Sequence, residues 1–204
     1  PRYQYERTPY GFRYAAIRRP IQNANSHDYV RVTVYIAPFI ALIPPNNVHN
    51  VATVLGPVDD CHTDFYFLAW NGADKPGVDQ ETWRKFNAAQ VGIDVDGEYR
   101  NVRTRDNNYR QDRQAMKLGD FTGIRGIPYQ DIAMWETMGP IIDRTKERLG
   151  ASDFAVVEFR KLMVEAARAF AQGGPALGAT EPRVPHVSIR SYEGIVQITT
   201  RVTE

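Results

Sequence analysis

Between Tyr29 and Ile36 two kinds of residue alternate without a break: Val30, Val32, Val34 and Ile36 point one way, and Tyr29, Arg31, Thr33 and Tyr35 point the other. A period of two sets successive side chains on opposite faces of a strand, so this run predicts a half-buried strand with one polar face. Comparable runs surround it. Tyr3 to Thr8 and Phe12 to Arg18, joined by Pro9-Tyr10-Gly11, predict a hairpin. Phe39 to Ile43, Val48 to Leu55 and Thr63 to Trp70 predict further strands, set apart by Pro44-Pro45-Asn46-Asn47, Gly56-Pro57 and Asp59-Asp60. About five or six strands therefore precede any convincing helix.

The period changes after Asn71. Residues 71 to 108 are polar and glycine-containing, with a short helix predicted at Gln80 to Gln90, and they resemble a surface excursion more than core. Arg110 to Leu118 reads as helical or irregular, and the glycine-rich stretch from Gly119 to Pro128 reads as a loop needing unusual backbone angles. Tyr129 to Met138 has a helical pattern, stopped by Gly139-Pro140. The clearest helix opens at Ser152-Asp153, which can cap free amides, and closes at Gly173-Gly174-Pro175. Val156, Phe159, Met163, Ala166 and Phe170 make its apolar stripe, opposite Glu158, Lys161, Glu165, Arg168 and Gln172, as in a helix packed on a sheet. Val187 to Ile189 and Ile195 to Val202 predict a closing hairpin around Glu193-Gly194. Strands followed by helices, without internal repeat or linker, imply one α+β domain over residues 1–204.

Composition narrows the function classes. Lysine and arginine number 25 against 24 acidic residues, so a formal charge of +1 supplies no field to gather nucleic acid or an anionic membrane surface. No apolar run approaches the roughly 20 residues that cross a bilayer. Cys61, the one cysteine, excludes an internal disulfide and a two-cysteine cluster site within these residues, and it favours a reducing cytoplasm. A start at Pro1, leading directly into a strand, reads as an excised domain or a processed product.

Asp131, Met134, Trp135 and Met138 fall at i, i+3, i+4 and i+7, which sets the Asp131 carboxylate on an apolar helix face. A carboxylate turned toward a core costs several kcal/mol unless protonated, paired with a cation or bound to a metal. A capping role near the helix start is the bland reading of the same residue.

The surroundings of Asp131 carry a more specific signal. Asp112-Arg113-Gln114, Phe121-Thr122-Gly123-Ile124, Gln130-Asp131, Glu136-Thr137-Met138-Gly139-Pro140-Ile141, Asp143-Arg144-Thr145 and Leu149-Gly150 with Ser152-Asp153 follow in one order over roughly forty residues. This stretch resembles the phthalate dioxygenase group of Rieske non-haem iron oxygenases. Thr8-Pro9-Tyr10-Gly11-Phe12-Arg13 and Pro57-Val58-Asp59-Asp60 with His62-Thr63 are similar to the same family, so the resemblance spans nearly the whole chain. It implies a helix-grip, START-like catalytic domain, in which a curved antiparallel sheet wraps a long C-terminal helix and leaves a cavity. It also implies that Asp131 is the carboxylate of a two-histidine, one-carboxylate site for mononuclear Fe(II), whose open face takes O2 beside an aromatic acid. The implied activity is ring hydroxylation or O-demethylation of a phthalate-like substrate. Electrons would come from NAD(P)H through a reductase and a [2Fe-2S] Rieske cluster, in a protein that assembles as a homotrimer.

The chain departs from the complete family pattern. It lacks the paired cysteine and histidine cluster ligands, and His27, His49, His62 and His186 are scattered, so the resemblance implies that the cluster domain and the two iron-binding imidazoles lie outside these residues. Alone, the fragment should not hold iron tightly or turn over.

Other residues have two readings each. Arg31 and Arg13 suit a substrate carboxylate, which a guanidinium grips with two parallel hydrogen bonds, or are solvated on the outer sheet face. Trp135 and Met138 are core, or a pocket wall beside the metal. His62 reads as a structural hydrogen-bonding residue, and His27, His49 and His186 as exposed. Asp94-Val95-Asp96-Gly97 is similar to the start of a calcium loop but lacks the distal bidentate glutamate. Gly173 to Gly178 follows a helix instead of opening one, which disfavours a phosphate cradle. A cofactor-free carrier of small molecules on the same fold is the rival function, and a purely structural subunit without a cavity is a third.

Overall fold

The computed structural model describes residues 1–44, 49–72, 75–179 and 184–198, apart from the side chain of His186. They fall into two compact units, Pro1–Lys75 with Glu147–Glu204, and Pro76–Lys146.

The first unit is an antiparallel sheet with a helix on it. β1 (Arg2–Thr8), β2 (Gly11–Arg18), β3 (His27–Ile36), β4 (Ile40–Ile43), β5 (Asn50–Pro57) and β6 (Thr63–Trp70) lie side by side in chain order, and β7 (Tyr192–Gln197) returns to pair with β3. The predicted start of β5 at Val48 lies outside the described residues. β3 is the branch point. One edge pairs with β2 from Gly11↔Ile36 to Arg18↔Tyr29, while the other is divided between β4, at Val34–Ile36, and β7, at His27–Val32. The predicted closing hairpin is therefore corrected: Glu193-Gly194 sits inside β7, and His186–Ser188 is a 3₁₀ turn. The free edge of β3 supplies the hydrogen-bond partners that a second C-terminal strand would otherwise give. Residues 199–202 of that predicted hairpin lie outside the described residues.

Both faces of β3 are covered, which corrects the expectation of one polar face. Val32, Val34 and Ile36 pack with Tyr10, Leu42, Ala52, Val184 and Ile189. On the opposite face, Tyr35 and its cross-strand neighbour Phe12 receive α4 (Phe154–Ala171) through Phe159, Leu162 and Met163. The rings of Tyr35 and Phe159 meet edge-on at 5.0 Å, and those of Phe12 and Tyr35 also lie 5.0 Å apart. Tyrosine and threonine read as polar in a pattern, but a tyrosine ring buries as much apolar area as many aliphatic side chains. This is the helix grip of an α+β fold, a curved antiparallel sheet holding one long helix.

The contact stripe of α4 is rotated from the predicted one. Ala155, Phe159, Leu162 and Met163 face the sheet, whereas Val156 and Phe170 are exposed. Asp153 accepts from the Gly150 amide at 2.8 Å and leaves the α4 amides uncapped by its side chain. Two forked ion pairs clasp the helix instead. Arg7 of β1 holds Glu165 at 2.6 and 3.2 Å, and Arg160 grips both oxygens of Glu147.

The second unit comprises α1 (Gln80–Phe86), a 3₁₀ segment at Arg105–Arg110, α2 (Arg113–Lys117) and α3 (Ile127–Thr137). Its core is Ala88, Tyr109, Ile124, Tyr129 and Ala133. Residues 71–108 are thus more than a surface excursion, because Asn87, Ala88, Asp94, Val95 and Arg103 are buried. Among the described residues no helix is long and apolar enough to cross a membrane.

Leu162→Ala should cost about 2–5 kcal/mol in urea denaturation, because Leu162 is 6% exposed and belongs to the buried cluster with Phe12 and Tyr35. Phe170→Ala, at an exposed site on the same helix, should stay within about 0.5 kcal/mol. Equal losses would contradict the observed orientation of α4.

Candidate functional site

α3 is held by one face. Gly126 opens it at φ 87°, and a Cβ there would stand 2.6 Å from the Asn87 carbonyl oxygen and 2.8 Å from the Ala88 Cβ. Only glycine permits both that backbone angle and that approach. Pro128 occupies the first turn, where its missing N–H is no loss. Tyr129, Ala133 and the partly buried Ile132 then turn inward at i, i+3 and i+4.

The inner face meets a polar network. Asp94 is fully buried at 0% exposure; one carboxylate oxygen accepts from Arg103 Nη1 at 2.8 Å and the other from the Gln90 amide at 3.1 Å. The Arg103 guanidinium carbon lies 4.7 Å from the Tyr129 ring centroid, and the Tyr129 hydroxyl donates to the Asp94 carbonyl at 2.9 Å. Burial pushes the Tyr129 hydroxyl pKa above its ordinary value. Tyr109 also packs into this core, from a run in which Asn108, Tyr109 and Arg110 have φ of 50°, 55° and 50°. Left-handed backbone on three consecutive non-glycine residues is uncommon and costs on the order of 1 kcal/mol or more at each.

The outer face of α3 carries Asp131, Met134, Trp135 and Met138, and all four are exposed. The structure brings Asp131, Trp135 and Met138 together as the spacing predicts, but it corrects the expectation that they face a core. Tyr129 and Ala133 take the inner face because tyrosine finds a hydrogen-bond acceptor there and alanine allows close approach to Ala88. Asp131 caps no helix, and no hydrogen bond or ion pair reaches its carboxylate from the described residues. Desolvation nevertheless raises its pKa above the usual value of 3.8. Among the described residues no group of three or more histidine, cysteine, aspartate or glutamate side chains converges on a point. This chain therefore fits an iron site in part: it offers one anionic oxygen donor, unclaimed by any cation among the described residues.

Arg31 and Arg13 belong to the first unit and lie on opposite sheet faces. Arg31 lies opposite Val30 and Val32, as its parity predicts, and shares the face of Tyr35 and α4, so of its two readings the outer, solvated one is not what the structure shows. It is half-buried, with Nε 3.6 Å from a Glu193 oxygen, and that nitrogen is buried without a hydrogen-bond partner among the described residues. Glu193 also accepts from the Tyr29 hydroxyl, whose pKa that bond raises. Arg13 stands across from Val34 on the other face and is exposed, paired with Glu6 at 2.7 Å.

His62 Nδ1 lies 2.9 Å from both Asp59 oxygens in an exposed turn, the structural role its context predicts. His27 and His49 are half-buried beside Ser26 and Asn71, respectively, and not exposed as expected. The carboxylate of Asp96, in the stretch similar to a calcium loop, is engaged by the Glu98 and Arg100 amides and by the Arg100 side chain.

Sequence reasoning missed Arg103 and Tyr129 altogether, and it read Asp94 only as part of a loop motif. No spacing rule links residues 94, 103 and 129. Glu193 had a signal in register, because any strand returning to β3 in antiparallel pairing must set some residue across from Arg31.

A model of the LigXa C-terminal-like domain matches residues 1–203. The chain belongs to that family. The oxygenase subunit of a phthalate 4,5-dioxygenase from Pseudomonas putida is 59% identical over 196 residues, which cover 96% of this chain and 44% of that protein. The oxygenase subunit of a 3-chlorobenzoate-3,4-dioxygenase from Comamonas testosteroni is 32% identical over 189 residues, which cover 85% of this chain and 43% of that protein. The chain thus spans less than half the length of these relatives, and their kind agrees with the resemblance carried by the residues around Gln130-Asp131.

In the metal-free chain, Asp131→Asn should raise the thermal midpoint at neutral pH. A carboxyl whose folded pKa is raised penalises the folded state above that pKa, and the penalty vanishes below the unfolded value of 3.8. The gain should therefore shrink as pH falls through the carboxylate range. Thermal melts across that range test the sign, and a lower midpoint for the variant at neutral pH would contradict it.

Proposed function

We propose that residues 1–204 serve as one catalytic domain in an aromatic-acid oxygenase, with Asp131 as the carboxylate ligand of a mononuclear Fe(II). The observation that carries this reading is a carboxylate on an apolar helix face that no hydrogen bond or ion pair reaches from the described residues, at the position to which the resemblance assigns the iron-binding aspartate. Carboxylates left in that condition gain nothing for stability, and perturbed groups of this kind concentrate at functional sites.

The bound ferrous ion would supply dioxygen activation for ring hydroxylation or O-demethylation. The chain's own residues do the rest. Asp131 would hold the ion with one anionic oxygen, and the resemblance assigns the remaining protein ligands to two imidazoles outside these residues. Trp135 and Met138, on the same side of α3, form an apolar wall against which an aromatic ring stacks. In the first unit, taken by itself, Arg31 is the candidate for pairing with a substrate carboxylate, its Nε buried without a hydrogen-bond partner among the described residues. Arg13 is the weaker candidate, because Glu6 already engages it in water.

For the whole protein, the reading includes a phthalate-like substrate and electrons delivered from NAD(P)H through a reductase and a [2Fe-2S] Rieske cluster. It also includes assembly as a homotrimer in the cytoplasm. What supports this part is the kinship with two oxygenase subunits more than twice as long as the chain.

In the full-length protein, Asp131→Ala should abolish Fe(II) uptake at the mononuclear site and dioxygen-dependent product formation together, measured by metal analysis and chromatography. Unchanged turnover would reject Asp131 as a ligand, and binding of aromatic acids without any iron requirement would return the fold to a carrier role. Arg31→Gln should raise KM for a carboxylate substrate at least about 10-fold and spare an uncharged ester analogue, the loss expected for a charge-assisted hydrogen bond. Equal effects on acid and ester would remove Arg31 from the substrate site.

A further inference from the structure

We propose that Arg103 and Tyr129 are positioning residues for the metal-binding carboxylate of Asp131. The proposal rests on the reading of Asp131 as an iron ligand and extends it to side chains that no resemblance assigns.

Tyr129 and Asp131 are two residues apart on α3 and project from different sides of it, Tyr129 buried and Asp131 exposed. Whatever fixes the rotation and tilt of α3 at Tyr129 therefore fixes where the Asp131 oxygens point. Two contacts do so from a single buried residue. The Tyr129 hydroxyl reaches the Asp94 main-chain oxygen at 2.9 Å, and the Arg103 guanidinium, held by the Asp94 carboxylate at 2.8 Å, lies over the Tyr129 ring. Asp94 is itself locked by the Gln90 amide. An isolated apolar contact would let the helix roll by a fraction of a side chain, but a directional hydrogen bond combined with a planar cation over the ring does not.

Other features of the unit point the same way. The close passage of Gly126 over Asn87 and Ala88 fixes the start of α3, and the left-handed run at 108–110 drives Tyr109 into the core that Tyr129 shares. Backbone in such conformations persists only where the surroundings over-determine it. Among the described residues no hydrogen bond or ion pair reaches the Asp131 carboxylate, so its direction is inherited from the helix.

The test uses the full-length protein with Tyr129→Phe, which keeps the ring and deletes one hydrogen bond, and Arg103→Lys, which keeps the charge and loses the planar group. Fe(II) affinity of the iron-depleted mononuclear site is measured by chelator competition. The electron paramagnetic resonance spectrum of its nitric oxide adduct reports ligand geometry, and far-UV circular dichroism reports folding. Each variant should fold, bind Fe(II) about 10-fold more weakly and show an altered adduct spectrum, as expected for groups that orient a ligand. Folded variants with wild-type affinity and spectrum would overturn the proposal, even if their melting temperatures fall, since a merely structural role moves only the latter. Asp131→Ala runs in parallel. If it keeps wild-type iron affinity, the reading of Asp131 and this proposal fall together; if it loses iron while the other two variants do not, only the positioning role is lost.

Discussion

A carboxylate sealed from water must be matched by a cation and by hydrogen bonds to its remaining lone pairs, and the second unit is arranged around that requirement. Asp94, with no exposed surface, is satisfied by Arg103 and by the Gln90 amide. Breaking such a pair from one side leaves a buried charge and typically costs about 3–5 kcal/mol. The loop that carries Asp94 therefore has little freedom to rearrange, and α3 is joined to it through Tyr129. One face of α3 is committed by that network, and its opposite face is left exposed.

The first unit meets a different constraint. β3 is paired along both edges and packed on both faces, so its side chains are shared between two environments. Aromatic residues resolve the conflict on the helix side, where Phe12, Tyr35 and Phe159 supply area, with a tilted contact between the first two rings and an edge-on one between the last two. Further along the same face, Arg31, Tyr29 and Glu193 form a polar end to this surface, with Glu193 shared between the other two. The face thus grades from aromatic to charged along a single strand.

Much of the fold was legible because period-two alternation and breaker residues are local signals. The first six strands, the helix ended by Gly139 and the long helix ended by Gly173 all follow from them. What failed did so for non-local reasons. The closing hairpin was read from alternation, but β7 is a single strand recruited by the open edge of β3, and an edge lies outside any window of sequence. The α4 stripe was rotated because Val156 and Phe170 have the right spacing yet lie beyond the sheet contacts. In the candidate site, the clustering of Asp131, Trp135 and Met138 was legible from helical spacing, whereas the direction of that cluster was not. Amphipathicity marks two faces of a helix but does not say which one the rest of the chain will cover, and in α3 a tyrosine and an alanine prevailed over two methionines and a tryptophan.

Asp94 and Asp131 are chemically identical side chains in one unit, and their different treatment is informative. Folding gave the first an arginine, a backbone amide and complete burial, which is how a structural carboxylate is stabilised. It gave the second partial desolvation and no hydrogen bond or ion pair from the described residues. Selection for stability alone would replace the second with a neutral residue, because the penalty of a desolvated charge is returned by nothing within the described residues. The two carboxylates thus sit on opposite terms in one unit, the first fastened inside the network that holds α3 and the second left on the exposed face of that helix.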